Sequence, residues 1–218
     1  MSLFRDRSDA GRQLAEKLEH LRAAKPLILA LPRGGVPVAV EIARVLDAPL
    51  ELLLVRKIGV PWQPELALGA VVDGDEPHTT INKGIARAAN ISEAQIAVAA
   101  KREIQELERR RQLWLGARHP VPIAGRTAIV VDDGVATGAS VRVALKALRT
   151  ERTKRVILAA PVAPPEIAEE LRADCDEAIF VATPADFGAV GSFYDDFRQL
   201  EDSEVKAMME QAHSPKAA

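Results

Sequence analysis

Cysteine and aromatic side chains are the scarcest features of this 218-residue chain, which has one cysteine, Cys175, and eight aromatic residues. A single cysteine excludes an internal disulfide and suits a reducing compartment. With no paired base in sequence, Cys175 reads as a buried packing residue rather than a nucleophile. No apolar run approaches the roughly 18 residues that would cross a bilayer. Charge of one sign is lacking too: the formal net charge is −2, which leaves no electrostatic footprint for nucleic acid and no basic face for a membrane. Met1 to Arg7 is charged from its start and reads as no signal peptide. The histidines, at 20, 78, 119 and 213, are too scattered for a histidine metal cluster. These absences predict a soluble cytoplasmic protein without nucleic-acid or membrane partners. What is present, 48% hydrophobic and 28% charged residues, is ordinary for one globular α/β domain.

The chain is organised around Thr127 to Ser140. Ala128-Ile129-Val130-Val131 reads as a strand buried on both faces of a parallel sheet. Asp132 and Asp133 stand where that strand should end. The small residues Gly134 to Ser140 follow, and Val141 to Arg149 reads as a helix. Strand, small-residue loop and helix start together form an anion cradle, because the helix's first N–H groups and positive dipole end face outward. Glycine lets backbone approach a phosphate, and Thr137 and Ser140 add hydroxyls. Two carboxylates would repel that phosphate, so they should serve another part of the same ligand. They could accept hydrogen bonds from the vicinal hydroxyls of a ribose, or hold a metal bound to them. The stretch therefore reads as a site for a ribose 5-phosphate group. It is neither a Walker A loop nor G-x-G-x-x-G.

The same logic recurs earlier. Pro26 to Leu31 is a short apolar strand, Pro32-Arg33-Gly34-Gly35 a turn, and Val38 to Leu46 a helix. An arginine fork beside free backbone N–H groups suits a pyrophosphate. A tight turn with a surface arginine would explain this stretch alone, but not its pairing with a second cradle. Residues 8 to 24 read as an amphipathic helix with Leu14, Leu18 and Leu21 on one stripe. Glu51 to Lys57 reads as a strand ending in two cations, and Ile58 to Glu65 as an irregular loop whose Trp62 is either a lid or a cover for apolar surface. Leu68–Asp73 and Pro77–Asn82 flank Gly74-Asp75-Glu76 as a hairpin. Ser92-Glu93-Ala94-Gln95 opens a long helix to about Gly116 with a capping box. Its Arg109-Arg110-Arg111 either reaches an anion or forms a solvated face with Glu103, Glu106 and Glu108. Arg118 to Ala124 is a linker. Lys154–Val162 and Asp176–Ala182 complete the strands, with a helix from Pro164 to about Ala173 between them. Four of the eight aromatics fall between Pro184 and Phe197, as a clasp over a sheet edge or a hood that stacks on a flat base. Glu201 to Gln211 reads as a closing helix and His213 to Ala218 as a frayed tail.

Val130 to Ser140 resembles the phosphoribosyl-pyrophosphate motif of the type I phosphoribosyltransferases, with one departure at Gly134, where that family usually carries an aliphatic residue. Leu31 to Gly35 resembles the family's pyrophosphate loop, which often holds a strained or cis peptide. The resemblance, together with the alternation of strands and helices, implies a doubly wound parallel α/β sheet with a flexible loop, an inserted long helix and a small C-terminal hood. It implies one domain over residues 1–218, with a core at about 26–182, an inserted region at about 58–120, and a hood at about 183–200 plus the N-terminal segment. The implied activity transfers ribose 5-phosphate from phosphoribosyl pyrophosphate to a nitrogenous base, with Mg²⁺ as cofactor and release of pyrophosphate. Asp132 and Asp133 would hold the ribose hydroxyls and the metal. Val135, Ala136, Thr137, Gly138, Ala139 and Ser140 would cradle the 5-phosphate. Arg33, with Gly34 and Gly35, would meet the pyrophosphate, joined by Arg56 and Lys57 before a closing loop. Phe193 and Tyr194 would serve the base, with which of the two rings faces it left open. Ala136 stands where relatives acting on 6-oxopurines carry an acid, which argues against those acceptors. The alternative is a non-catalytic regulator that binds phosphoribosyl pyrophosphate or a nucleotide on the same fold. Small sheets of this kind often pair, so a homodimer is one option, but the sequence does not fix the oligomeric state.

Overall fold

The structure, a computed structural model, describes residues 2–60, 62–73, 78–116, 118 and 121–213. In chain order its elements are α1 (Arg7–Leu18), β1 (Leu27–Ala30), α2 (Gly35–Leu46), β2 (Leu50–Leu52), β3 (Val55–Val60), β4 (Gln63–Val72), β5 (His78–Ile81), α3 (Lys83–Ala88), α4 (Glu93–Leu115), β6 (Thr127–Val131), α5 (Ala139–Thr150), β7 (Arg155–Val162), α6 (Pro165–Arg172), β8 (Glu177–Ala182) and α7 (Asp202–His213), with short 3₁₀ turns at Glu19–Ala24 and Val190–Phe193. They form two compact units, Met1–Leu53 with Val121–Ala218, and Leu54–Pro120. Among the described residues no helix is long and apolar enough to cross a membrane.

The larger unit is built on a five-stranded parallel sheet of order β2-β1-β6-β7-β8. β1 and β6 are buried along their whole length, which is why their sequences are continuously apolar rather than alternating. α1 packs on α2; α2 lies on β1, β2 and β6, α5 on β6 and β7, and α6 on β8. Strand order runs one way from β1 to β2 and the other way from β6 to β8. Right-handed crossovers therefore place α2 on one face and α5 and α6 on the other. The reversal lies between β1 and β6, so the loops after these two strands open on the crevice where sheets of this kind bind ligands. Leu14 and Leu18 are buried as their spacing predicts, but α1 ends at Leu18 and a 3₁₀ turn carries Leu21 inward.

The N-terminal segment joins the stretch after β8. The N–H groups of Leu3 and Phe4 donate to the Phe193 carbonyl at 2.9 and 3.0 Å, and Asp195 N–H donates to the Phe4 carbonyl at 2.9 Å. Phe4 and Tyr194 are buried together, with ring centroids 5.1 Å apart. Phe187, Val190, Phe193 and Phe197 pack around them half-buried. Cys175 is buried, and its thiol donates to carbonyls of Leu171 and Glu177.

The smaller unit holds an antiparallel sheet of order β3-β4-β5 and helices α3 and α4. It corrects two expectations. Glu51 to Lys57 is not one strand: Leu50–Leu52 belongs to the parallel sheet and Val55–Val60 to the antiparallel one. Leu53 and Leu54 are buried between them, so the apolar run carries no mark of the break. Nor is Ile58 to Glu65 an irregular loop. Ile58 and Val60 are buried on strand β3, and Val60 pairs with Gln63 across a tight connection, of which Pro61 lies outside the described residues. The expected turn at Gly74-Asp75-Glu76 also lies outside them, as do Ala117, two residues of the linker (His119 and Pro120) and the tail from Ser214. α4 begins with the expected capping box between Ser92 and Gln95 and ends at Gly116. Helix α3 has no counterpart in the sequence expectations. Asn82 caps it by accepting from the N–H groups of Gly84 and Ile85.

Candidate functional site

The β1 and β6 loops meet at glycine. A Cβ added to Gly34 would lie 2.0 Å from Asp133 Oδ2, and one added to Gly35 would lie 2.5 Å from the Val131 carbonyl oxygen. The peptide bond between Pro32 and Arg33, just before this contact, is cis. Only the absence of a side chain lets the first loop rest on the carboxylate of the second. The two stretches singled out by sequence are thereby brought into one site at the ends of adjacent strands.

Within the β6 loop, Asp132 Oδ1 accepts the Asp133 N–H at 2.9 Å. Burial, and then the adjacent Asp133 charge, push the Asp132 carboxyl well above the usual carboxylate range. Asp133 Oδ2 accepts from Arg7 Nε at 2.8 Å, and the Asp133 carbonyl accepts from the Tyr194 hydroxyl at 2.5 Å. The two carboxyls also contact each other through a side-chain hydrogen bond, and among the described residues Asp132 Oδ2 and Asp133 Oδ1 accept no N–H group. Gly138, with φ +73°, turns the chain into α5. Ala136, Thr137, Ala139 and Ser140 are exposed along this turn. The N–H groups of Ala136, Thr137 and Gly138 have no backbone acceptor among the described residues, whereas Val135 is buried and gives its N–H to the Val162 carbonyl at 2.8 Å. The run of N–H groups without a backbone acceptor thus starts at Ala136, one residue after the Val135 at which the cradle was expected to begin.

Gly134, the departure from the motif, has a structural reason. A Cβ there would lie 2.4 Å from Val190 Cγ1 and 3.2 Å from Val162. The stretch after β8 occupies the room that an aliphatic residue would need.

The remaining candidates are placed differently. Arg33 Nη1 donates to the Leu200 carbonyl at 2.6 Å and lies 3.8 Å from Asp202 Oδ1, so its guanidinium is held at the start of α7. Arg56 and Lys57 lie on β3 in the smaller unit, where Arg56 is paired with Glu103 at 2.7 Å and Lys57 is exposed. Tyr194 does not present its ring to a ligand. It is 6% exposed, and burial followed by the Asp133 charge pushes its hydroxyl up from the ordinary phenol value. Phe193, half-buried beside Phe187 with centroids 5.1 Å apart, is the more open of the two rings. In α4, Arg109 and Arg110 both pair with Glu106, and Arg111 pairs with Asp73 at 3.2 Å. Trp62 is 61% exposed.

Arg7 was not foreseen. Its guanidinium donates to Asp133 and to the Arg198 carbonyl at 2.9 Å, and stacks 3.9 Å from the centroid of Phe197.

A family model described as the phosphoribosyl transferase domain matches residues 6–197. Proteins from two strains of Mycobacterium tuberculosis, each named "Putative phosphoribosyl transferase", are 43% identical over 213 residues, which is 98% of this chain and 48% of theirs. The chain spans about half the length of these relatives. The crystal structure of TT1426 from Thermus thermophilus superposes with a TM-score of 0.86 at 41% identity, covering 97% of this chain and 99% of that one.

Proposed function

The chain belongs to the phosphoribosyl transferase domain family, and from that premise we propose that it transfers the ribose 5-phosphate unit of phosphoribosyl pyrophosphate to a nitrogenous acceptor, releasing pyrophosphate. The observation that carries this reading is the contact of Gly34 with the Asp133 carboxylate. It sets the loop suited to pyrophosphate directly beside the pair suited to ribose hydroxyls, as a single ligand bearing both groups requires.

In this reading, Asp132 Oδ2 and Asp133 Oδ1 accept the vicinal hydroxyls. The N–H groups from Ala136 to Gly138 and the hydroxyls of Thr137 and Ser140 bind the 5-phosphate at the start of α5. Arg33 leaves the Leu200 carbonyl to meet the pyrophosphate, for which its planar fork is matched. As the leaving group departs, a cationic, oxocarbenium-like centre develops on the sugar. The residues act by holding donor and acceptor in line and by neutralising the departing charge. A magnesium ion fits the same chemistry, since two hard carboxylate oxygens with ligand oxygens and water are its usual environment. Among the described residues no group of three or more His, Cys, Asp or Glu could hold a metal, so Asp132 and Asp133 would share the ion with the ligand. When bound, it would supply charge neutralisation for the pyrophosphate. The acceptor lies toward Phe193, and Ala136 speaks against a 6-oxopurine.

Titration calorimetry with phosphoribosyl pyrophosphate and Mg²⁺ tests the assignment. The Asp132→Asn/Asp133→Asn variant should bind at least roughly a hundredfold more weakly than the wild type, because two charged acceptors are removed. Equal affinity would contradict it.

A further inference from the structure

The acidic pair is served by a residue remote in sequence. Arg7 stands at the first position of α1, and its guanidinium is fixed on three sides. Nε donates to Asp133 Oδ2 at 2.8 Å, Nη1 donates to the Arg198 carbonyl at 2.9 Å, and the plane rests on Phe197 at 3.9 Å. The Arg7 and Asp133 side chains are 11% and 15% exposed. This is a held contact and not a surface ion pair, whose long side chains would wander. The Asp133 carboxylate also abuts Gly34, and its own backbone is tied by Tyr194 and by Asp132 Oδ1.

Two neighbouring carboxyls resist carrying two charges, and the Asp132 proton is held more tightly for that reason. A cation at Asp133 Oδ2 favours the ionised form of Asp133 and holds its rotamer. Oδ2 of Asp133 and Oδ1 of Asp132 each accept a protein N–H, so the oxygens that accept none are Asp133 Oδ1 and Asp132 Oδ2, one from each residue, and two hydroxyls need two such acceptors. We infer that Arg7 is a positioning residue of the ligand site, holding Asp133 so that Asp133 Oδ1 and Asp132 Oδ2 together receive the vicinal hydroxyls of a ribose. The inference rests on the reading of this pair as the ribose site. A lysine cannot replace the arginine, since an ammonium is a point charge without the fork and plane that the three contacts use.

The test is calorimetric titration of wild type, Arg7→Gln and Arg7→Lys with two probes in Mg²⁺: phosphoribosyl pyrophosphate, which carries the hydroxyls, and inorganic pyrophosphate, which does not. Arg7→Gln should weaken the first roughly ten- to a hundredfold, the effect of losing a charge-assisted hydrogen bond. It should leave the second within about twofold. Arg7→Lys, which preserves the charge and the fold, should also bind the first probe more weakly and the second unchanged. In an Asp133→Asn background, Arg7→Gln should cost nothing further beyond about twofold, because the group it positions is gone. Equal weakening of both probes would make Arg7 merely structural. Unchanged affinity for phosphoribosyl pyrophosphate, or full additivity with Asp133→Asn, would overturn the inference. A wild type that binds pyrophosphate but gains nothing from the ribose would instead overturn the reading of the acidic pair.

Discussion

Asp132 carries a conflict between stability and binding. The surrounding protein and the Asp133 charge favour its neutral form in the folded chain, whereas the unfolded chain returns it to the ordinary carboxylate range. The folded state therefore binds the proton more tightly, and stability falls as pH rises from the ordinary aspartate value through the raised one. Asn mimics the neutral acid. Asp132→Asn should accordingly melt above the wild type at about pH 8 in the absence of ligand, with the difference vanishing near about pH 3.5, while its affinity for phosphoribosyl pyrophosphate falls. Melting curves at the two pH values check this, and a variant less stable than the wild type at the higher pH would refute it. The acidic pair and the glycines could be found from sequence because their chemistry is local: strand, carboxylates, small loop, helix. Arg7 could not. It sits among other charges at Arg5, Asp6 and Asp9, and nothing in that run marks the one whose partner is 126 positions away. Which of Phe193 and Tyr194 is the more exposed could not be read either, since adjacent positions in an irregular stretch carry no periodicity; the structure buries Tyr194.

Elements that bury one clear face were readable. β1 and, after their first residues Thr127 and Arg155, β6 and β7 are apolar because helices cover both faces of a parallel sheet, and α4 opens where Ser92 and Gln95 signal it. The stretch from Glu51 to Val60 was not, since buried Leu53 and Leu54 bridge two strands of different sheets without a turn residue. The departure at Gly134 was visible in sequence, but its reason lies in another element: the Val190 side chain fills the space above it. Gly134→Val should therefore destabilise the chain by about 1–3 kcal/mol through overpacking and strain. Val190→Ala in the same chain should restore part of that loss, since the nearest atoms of the clash are removed. A double-mutant cycle on unfolding midpoints measures the coupling. Strict additivity would mean that Val190 does not occupy that space.

Over the whole molecule, the larger unit concentrates the proposed chemistry where the strand order reverses. Two loops, the first helix and the stretch from Val190 to Asp202 converge there. The smaller unit, Leu54–Pro120, carries Arg56 and Lys57 on its own sheet, with Arg56 paired to Glu103. Sequence placed this insertion between the two halves of the parallel sheet and foresaw the pairing of β4 with β5, but it missed that β3 runs on through Val60 as the first of three antiparallel strands, because the glycine and prolines that follow Lys57 read as a loop. If the converging loops form a transferase site and not only a binding site, the wild type must turn over. Pyrophosphate release from phosphoribosyl pyrophosphate and Mg²⁺ should be measured across purine, pyrimidine and pyridine bases, with the wild type and the Asp132→Asn/Asp133→Asn variant side by side. The expected result is release that depends on one acceptor base and disappears in the variant. Tight binding without release for any base, or release that survives loss of both carboxylates, would show that these loops do not catalyse the transfer.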